Sequence, residues 1–87
     1  MRIEYSKRFI KDLKNSSQGI KTSFKDRLNI FVVNRCHPIL NNHSLSGKLK
    51  NYRSINVSGD WRAIFKEIKE EDVCYFIAIG SHSKLYY

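Results

Sequence analysis

The chain has 87 residues, 41% hydrophobic and 28% charged, a composition too apolar for disorder and a length that allows one small domain, residues 1–87, with a modest core. No stretch approaches the ~20 apolar residues of a membrane span, and the opening Met1-Arg2-Ile3-Glu4-Tyr5 lacks an apolar run of secretory length, so a cytoplasmic protein with no membrane partner is expected. The net charge of +8 sits in residues 1–50, which hold eleven Lys/Arg against three Asp/Glu, while residues 51–87 hold five of each; such a field attracts RNA, DNA or an acidic protein.

Ile3 and Tyr5 alternate with Arg2 and Glu4, which predicts a short first strand over residues 1–6. Ser6 follows as a candidate N-cap, and Phe9, Ile10 and Leu13 fall at helical spacing to about Lys14. Asn15-Ser16-Ser17 reads as a break or as the cap of the next helix. There Ile20, Phe24, Leu28, Phe31 and Val32 form an apolar stripe, with Lys21, Lys25, Asp26 and Arg35 on other faces. The stripe predicts core packing, and two helices joined by a short break predict an α-hairpin laid over a sheet.

Pro38 disfavours the helical conformation at His37 and ends the second helix near Cys36. A long loop is expected from Ile39 to Lys50, pinned by Leu45 and Leu49, with His43, Lys48 and Lys50 facing out. Three strands follow. Residues 52–57 alternate Ile55 and Val57 against Ser54 and Asn56. Ser58-Gly59 makes a tight turn. Residues 60–68 set Trp61, Ala63 and Phe65 opposite Arg62, Ile64 and Lys66. After an acidic turn, residues 73–79 are apolar on both faces, as a central strand would be. The order β-α-α-β-β-β, with both helices on one face, is an α+β domain.

The two cysteines carry no motif and in this compartment read as reduced thiols. No metal-ligand spacing is present, and Ser46-Gly47-Lys48 lacks the glycine and the context of a phosphate loop. Cys36 and His37 are neighbours on extended chain and point apart. One constellation remains. If the middle strand of the meander lies between the other two, His43, Asn56, Asp60, His82 and Tyr86 can line one rim. RNA cleavage needs a base for the 2′-hydroxyl, an acid for the leaving 5′-oxygen and positive charge at the phosphate. His43 and His82 among Lys48, Lys50, Arg53, Arg62 and Lys84 can supply all three, with Trp61 and Tyr86 to stack bases. The plainer readings stand beside this one: His37 as a solvated histidine, Trp61 as partly core, and Arg53 as the partner of a carboxylate.

The chain resembles the RelE/ParE superfamily of bacterial toxin–antitoxin toxins, most of all the YafQ-like RelE/StbE group of ribosome-dependent mRNA interferases. The resemblance spans nearly the whole chain. It is carried by Ser6-Lys7-Arg8-Phe9, Asp12-Leu13, Asn42-His43-Ser44-Leu45-Ser46-Gly47-Lys48-Leu49, Tyr52-Arg53, Gly59-Asp60-Trp61-Arg62 and Gly80-Ser81-His82-Ser83-Lys84-Leu85-Tyr86. It implies a microbial RNase fold, an antiparallel sheet with an α-hairpin packed on one face. It also implies a cognate acidic antitoxin that forms a hetero-oligomer with the toxin. In the nucleases of the group it implies metal-independent, cofactor-free cleavage of mRNA in the ribosomal A site. His43, Asp60 and His82 match catalytic positions, with His82 as general acid; Trp61 matches the residue beside the aspartate and Tyr86 a C-terminal aromatic. Two positions depart: Asn56 replaces a histidine, and Ala78 an arginine whose role at the phosphate is worth ~3–4 kcal/mol where it acts as an oxyanion-hole donor. Arg62 and Lys84 are the cations available to stand in. The departures keep open a non-nucleolytic toxin of the same fold, such as a ParE-like gyrase inhibitor, or a catalytically weakened homologue that still binds an antitoxin.

Overall fold

β1 (Arg2–Tyr5) leads directly into α1 (Lys7–Lys14). The Ser6 hydroxyl accepts from the Phe9 N–H at 3.0 Å, and Ser17 caps α2 (Gln18–Val33) by accepting from Ile20 at 3.2 Å. Each cap satisfies an N–H that has no partner inside the helix and is worth about 1 kcal/mol. Phe24 and Phe31 of the α2 stripe are buried, and Ile20 and Leu28 pack against the core. Val32 does not join them and is 50% exposed. One residue beyond Phe31 is a turn of about 100° around the helix, which carries Val32 off the stripe.

The computed structural model describes residues 1–86; Tyr87, the end of the final predicted segment, lies outside them. Beyond α2 the expected loop carries three short elements: a 3-10 turn at Pro38–Leu40, the two-residue strand β2 (His43–Ser44), and a second 3-10 turn at Gly47–Leu49. His37 is extended as predicted, and its Nδ1 accepts from the Ile39 N–H at 3.1 Å, so this histidine caps a turn. Leu40, fully buried, is the main anchor; Leu45 and Leu49 are half-buried.

β3 (Arg53–Ser58), β4 (Trp61–Ile68) and β5 (Val73–Ser81) complete a five-stranded sheet of order β1-β5-β4-β3-β2, with β4 between β3 and β5 as the rim required. A short helix, α3 (His82–Tyr86), follows β5. Pairings from β2 to β5 are antiparallel, but β1 runs parallel to β5, with Ile3 opposite Cys74 and Tyr5 opposite Phe76. The sheet is therefore mixed rather than wholly antiparallel. β1 and β5 are the first and last strands of the chain, separated by the α-hairpin and by β2, β3 and β4, so no hairpin rule sets their relative direction.

Two register shifts shape the sheet. Between Ile64/Phe65 and Ala78/Phe76 the extra residue is Ile77, whose carbonyl accepts from the Ser6 hydroxyl at 3.1 Å. Between Asn56/Arg62 and Ser58/Trp61 it is Val57, whose carbonyl accepts from Arg27 Nε at 3.3 Å. Both bulge carbonyls are thus satisfied by side chains from the helical layer. Between that layer and the sheet lies an aromatic core in which Phe76 sits 5.1 to 5.7 Å, ring to ring, from Phe9, Phe24, Phe31 and Phe65. Ile55, Val57, Ala63 and Ile79 complete this face. On the opposite face, strand register groups Ser54 with Ile64 and Ala78, and Asn56 with Arg62 and Gly80. Gly80 permits close approach there, since an added Cβ would come within 3.4 Å of Leu85 in α3. Among the described residues no helix is long and apolar enough to cross a membrane.

Candidate functional site

The site lies on the face of the sheet away from α1 and α2, where α3 packs. Asn41 adopts a left-handed backbone (φ 45°), which asparagine tolerates better than most residues and which turns the chain into β2. β2 then pairs with β3, His43 opposite Ser54. Asn42 clips this entry: its amide donates to the Arg35 carbonyl at 2.9 Å, and its Oδ1 accepts from Arg53 Nε at 2.8 Å. His43 Nδ1 lies 2.7 Å from the Asn41 carbonyl. A carbonyl can only accept, so Nδ1 carries the proton. With the proton on Nδ1, it is Nε2 that in a neutral ring has the lone pair able to take a proton.

Across the sheet, the β3–β4 turn and the start of α3 meet. Gly59 takes the positive φ (53°) the turn requires. The Asp60 carbonyl accepts from the His82 N–H at 2.8 Å and ties the turn to α3. Arg62 Nη1 donates to the Gly59 carbonyl at 2.8 Å and to the Trp61 carbonyl at 3.0 Å. The guanidinium is thus held in place before any ligand arrives, which is how a cation contributes most to a developing negative charge. The His82 and Tyr86 rings stand 4.5 Å apart.

These pieces enclose a cleft of about 360 Å³ lined by Asn41, His43, Leu45, Arg62, His82 and Tyr86. Four predicted site residues, His43, Arg62, His82 and Tyr86, therefore come together. Tyr86 also borders a neighbouring hollow of about 450 Å³ that contains Lys48 and Leu85, which extends the cleft toward a fifth. Among the described residues no carboxylate lines either space. Two imidazoles and a fixed guanidinium facing one small cleft can bind an anion and move protons at it.

The other predicted residues are placed differently. Asp60 is exposed in the turn and linked to His82 through its backbone rather than its carboxylate. Asn56 is half-buried beside Arg62 on the cleft face; its Oδ1 is buried and has no hydrogen-bond partner among the described residues. Trp61 turns to the opposite face and packs against the helix-side core. Strand alternation sets it apart from Arg62, so the partly-core reading describes it better than a base platform in this cleft. Arg53 bonds Asn42 and lies 3.8 Å from Glu67, as its carboxylate reading anticipated. Lys50 and Lys84 are exposed outside the lining. Asn41 and Leu45 went unnoticed as lining residues; the Asn41-Asn42 pair is itself a turn signal and marks where the chain bends into the site. Among the described residues no three His, Cys, Asp or Glu side chains converge as a metal site would require.

Comparison with known proteins follows the same lines. The model of a family described as the bacterial toxin of a type II toxin–antitoxin system, YafQ, matches residues 1–87. No match is found among curated protein sequences. Among solved structures, YafQ from E. coli strain BL21(DE3) is 26% identical over 100% of both chains, with a TM-score of 0.82. The E. coli DinJ–YafQ complex aligns at 26% identity over 100% of both chains, with a TM-score of 0.77. A metal-bound toxin from Helicobacter pylori is 28% identical over 99% of both chains, with a TM-score of 0.74.

Proposed function

The chain belongs to the YafQ family of bacterial type II toxin–antitoxin toxins, and from that premise we propose that it is a ribosome-dependent endoribonuclease that cleaves mRNA at the cleft between β2 and α3. The observation that carries this reading is the convergence of His43, His82 and Arg62 on one cleft. His43 Nε2 takes the proton of the 2′-hydroxyl, whose oxygen attacks the adjacent phosphorus. Arg62 holds the negative charge that develops on the phosphoryl oxygens. His82 protonates the 5′-oxygen as its bond to phosphorus breaks. The products are a 2′,3′-cyclic phosphate and a free 5′-hydroxyl. Base, acid and charge stabilisation all come from side chains, so this reading calls for no metal or cofactor. Tyr86 flanks the reacting groups as a stacking surface, and Lys48 extends the path for phosphates. Asp60 acts through its carbonyl, which ties the β3–β4 turn to α3 and so holds His82 at the cleft.

Arg62 supplies the cationic role that Ala78 leaves empty. Asn56, beside it, offers an amide where a titratable group was expected. These two positions are also what favours a second reading, a non-nucleolytic toxin of the same fold. Primer extension on translated mRNA after induction separates the two: new 5′ ends in the wild type that vanish in His82→Ala support the nuclease. Full-length transcripts during growth arrest, with inhibition of supercoiling by pure protein, would replace it with a gyrase poison.

The partner is a cognate acidic antitoxin, a reading supported by the relative solved together with DinJ. Its seat is the groove of about 530 Å³ between β1, α1 and α2, floored by Tyr5, Phe9, Leu13 and Phe24 and rimmed by Ile10, Lys14 and Lys21. An apolar floor with a cationic rim matches a segment whose hydrophobic residues are flanked by carboxylates. This places the partner on the opposite side of the sheet from the cleft, in the half of the chain that holds the excess positive charge.

A further inference from the structure

A second concave surface lies beside the cleft. Consecutive residues of β2 separate the two: His43 lines the cleft, and Ser44 lines a hollow of about 290 Å³ whose other walls include Asn51, Tyr52, Arg53, Lys66 and Lys69. Tyr52 is fixed from both sides of its own backbone. Its N–H donates to the Leu49 carbonyl at 2.9 Å, and its carbonyl accepts from the Leu45 N–H at 3.0 Å. The Lys66 ammonium stands 5.9 Å from the centre of the Tyr52 ring, within reach of the ring's negative face.

The charge of the hollow is positive once its one carboxylate is accounted for. Glu67 Oε2 is bonded by Arg35 at 2.8 Å, and Oε1 lies 3.8 Å from Arg53. Two guanidinium groups thus share that carboxylate. Lys66 and Lys69 pair with no carboxylate among the described residues. Glu70, Glu71 and Asp72 follow Lys69 but do not line the hollow. An aromatic ring on an anchored backbone, with one ammonium beside it and a second lining the same hollow, is a combination that holds single-stranded nucleic acid, the ring stacking on a base and the cations taking phosphates.

We infer that the Tyr52–Lys66–Lys69 hollow is a second RNA subsite, which holds a nucleotide of the same strand a few positions from the one in the cleft. The inference rests on the RNA reading of the cleft, and it adds a contact remote from the reacting atoms. Arg62 in the cleft and Lys66 in the hollow stand four residues apart on the same face of β4, so a single strand leaving the cleft along that face meets the hollow next. Remote contacts of this kind hold the substrate in register, so that the scissile phosphate stays between the two histidines.

The test is fluorescence-anisotropy titration of a fluorescein-labelled 12-nucleotide single-stranded RNA with the full-length protein over a series of salt concentrations. Tyr52→Ala is expected to weaken binding about tenfold, and Tyr52→Phe to keep wild-type affinity, because stacking needs the ring and not the hydroxyl. Lys66→Ala with Lys69→Ala, both on the surface, is expected to weaken binding about tenfold and to lower the slope of log K against log salt by about 1 to 2. The lysine pair keeps the test decisive if Tyr52→Ala fails to fold. Wild-type RNA binding that weakens in Arg62→Ala but not in the Tyr52 and lysine variants overturns the subsite and leaves the cleft reading standing. No RNA binding by the wild-type protein even at low salt overturns the subsite, while the cleft reading is then decided separately by cleavage of mRNA on the ribosome. Loss of antitoxin binding without loss of RNA binding in the lysine variant assigns the hollow to a protein partner and overturns the proposal.

Discussion

The helical layer and the cleft rim are built from the same sheet by opposite means. On the helix side, α1 and α2 lay local, periodic stripes over a cluster of five phenylalanines, and what remains exposed is an apolar groove with a lysine rim. On the other side, residues 41–45, 60–62 and 80–86 arrive from three separate segments, and only strand register and a five-residue helix bring them together. The first surface is packing with charge around it. The second is polar groups held by backbone contacts: Asn41 to His43, Gly59 and Trp61 to Arg62, Asp60 to His82. On the proposed reading one side takes the protein partner and the other carries the chemistry, so a substitution on either is expected to leave the other unchanged.

The largest effect expected is on the cleft side. His82→Ala and His43→Ala each lower mRNA cleavage by at least about 100-fold, the usual contribution of a positioned proton carrier. Both residues are exposed, so thermal melts stay near wild type and antitoxin pull-down is unchanged. If either variant loses antitoxin binding as well, the separation of the two faces is wrong. On the helix side the deepest cut is Phe76→Ala. It removes the ring that touches four other phenylalanines and is expected to cost about 3–5 kcal/mol in urea denaturation. A loss under 1 kcal/mol would mean that the core does not centre there.

A smaller effect sharpens the partner side. Lys14→Glu with Lys21→Glu reverses the rim of the groove. It is expected to weaken antitoxin binding about tenfold in calorimetric titration, with cleavage by the free toxin unchanged. The smallest concerns Tyr5, at the floor of that groove. Burial raises its phenol above the ordinary value, so the folded state favours the neutral form. That contribution is fully present below pH about 10 and is lost as pH rises through the raised value. Tyr5→Phe should therefore flatten the alkaline fall in stability and leave neutral-pH stability nearly unchanged. An unchanged alkaline slope would show that Tyr5 ionises as freely in the folded chain as in the unfolded one.

How much of this was legible in the chain follows from the same contrast. The Ser6 cap, the Asn15-Ser16-Ser17 break that holds the Ser17 cap, the Gly59 turn and the stripe from Ile20 to Val32 are local signals, and each stands where it was read except Val32, which lies off the stripe. The direction of β1 was not legible, because no turn joins it to β5. Nor was α3, whose five residues are too few for a period; nor β2, two residues inside an apparent loop. For the site, residue chemistry alone proposed the rim and its two proton carriers, His43 and His82, while the resemblance assigned His82 as the acid and marked Asp60 as catalytic. Trp61 shows the limit of residue type as a guide: an aromatic beside a candidate aspartate suggested base stacking, yet strand alternation had already put it with Ala63 and Phe65 on the core side.

The most direct measurement maps the ends of an mRNA cut on defined ribosome complexes, with a second transcript carrying a single 2′-deoxynucleotide at the cut position. A cleft working through His43, Arg62 and His82 predicts a 2′,3′-cyclic phosphate and a 5′-hydroxyl from the first transcript, none of it with His82→Ala, and no cleavage of the second. Cleavage of the deoxy-substituted transcript, or products ending in a 3′-hydroxyl and a 5′-phosphate, would contradict it.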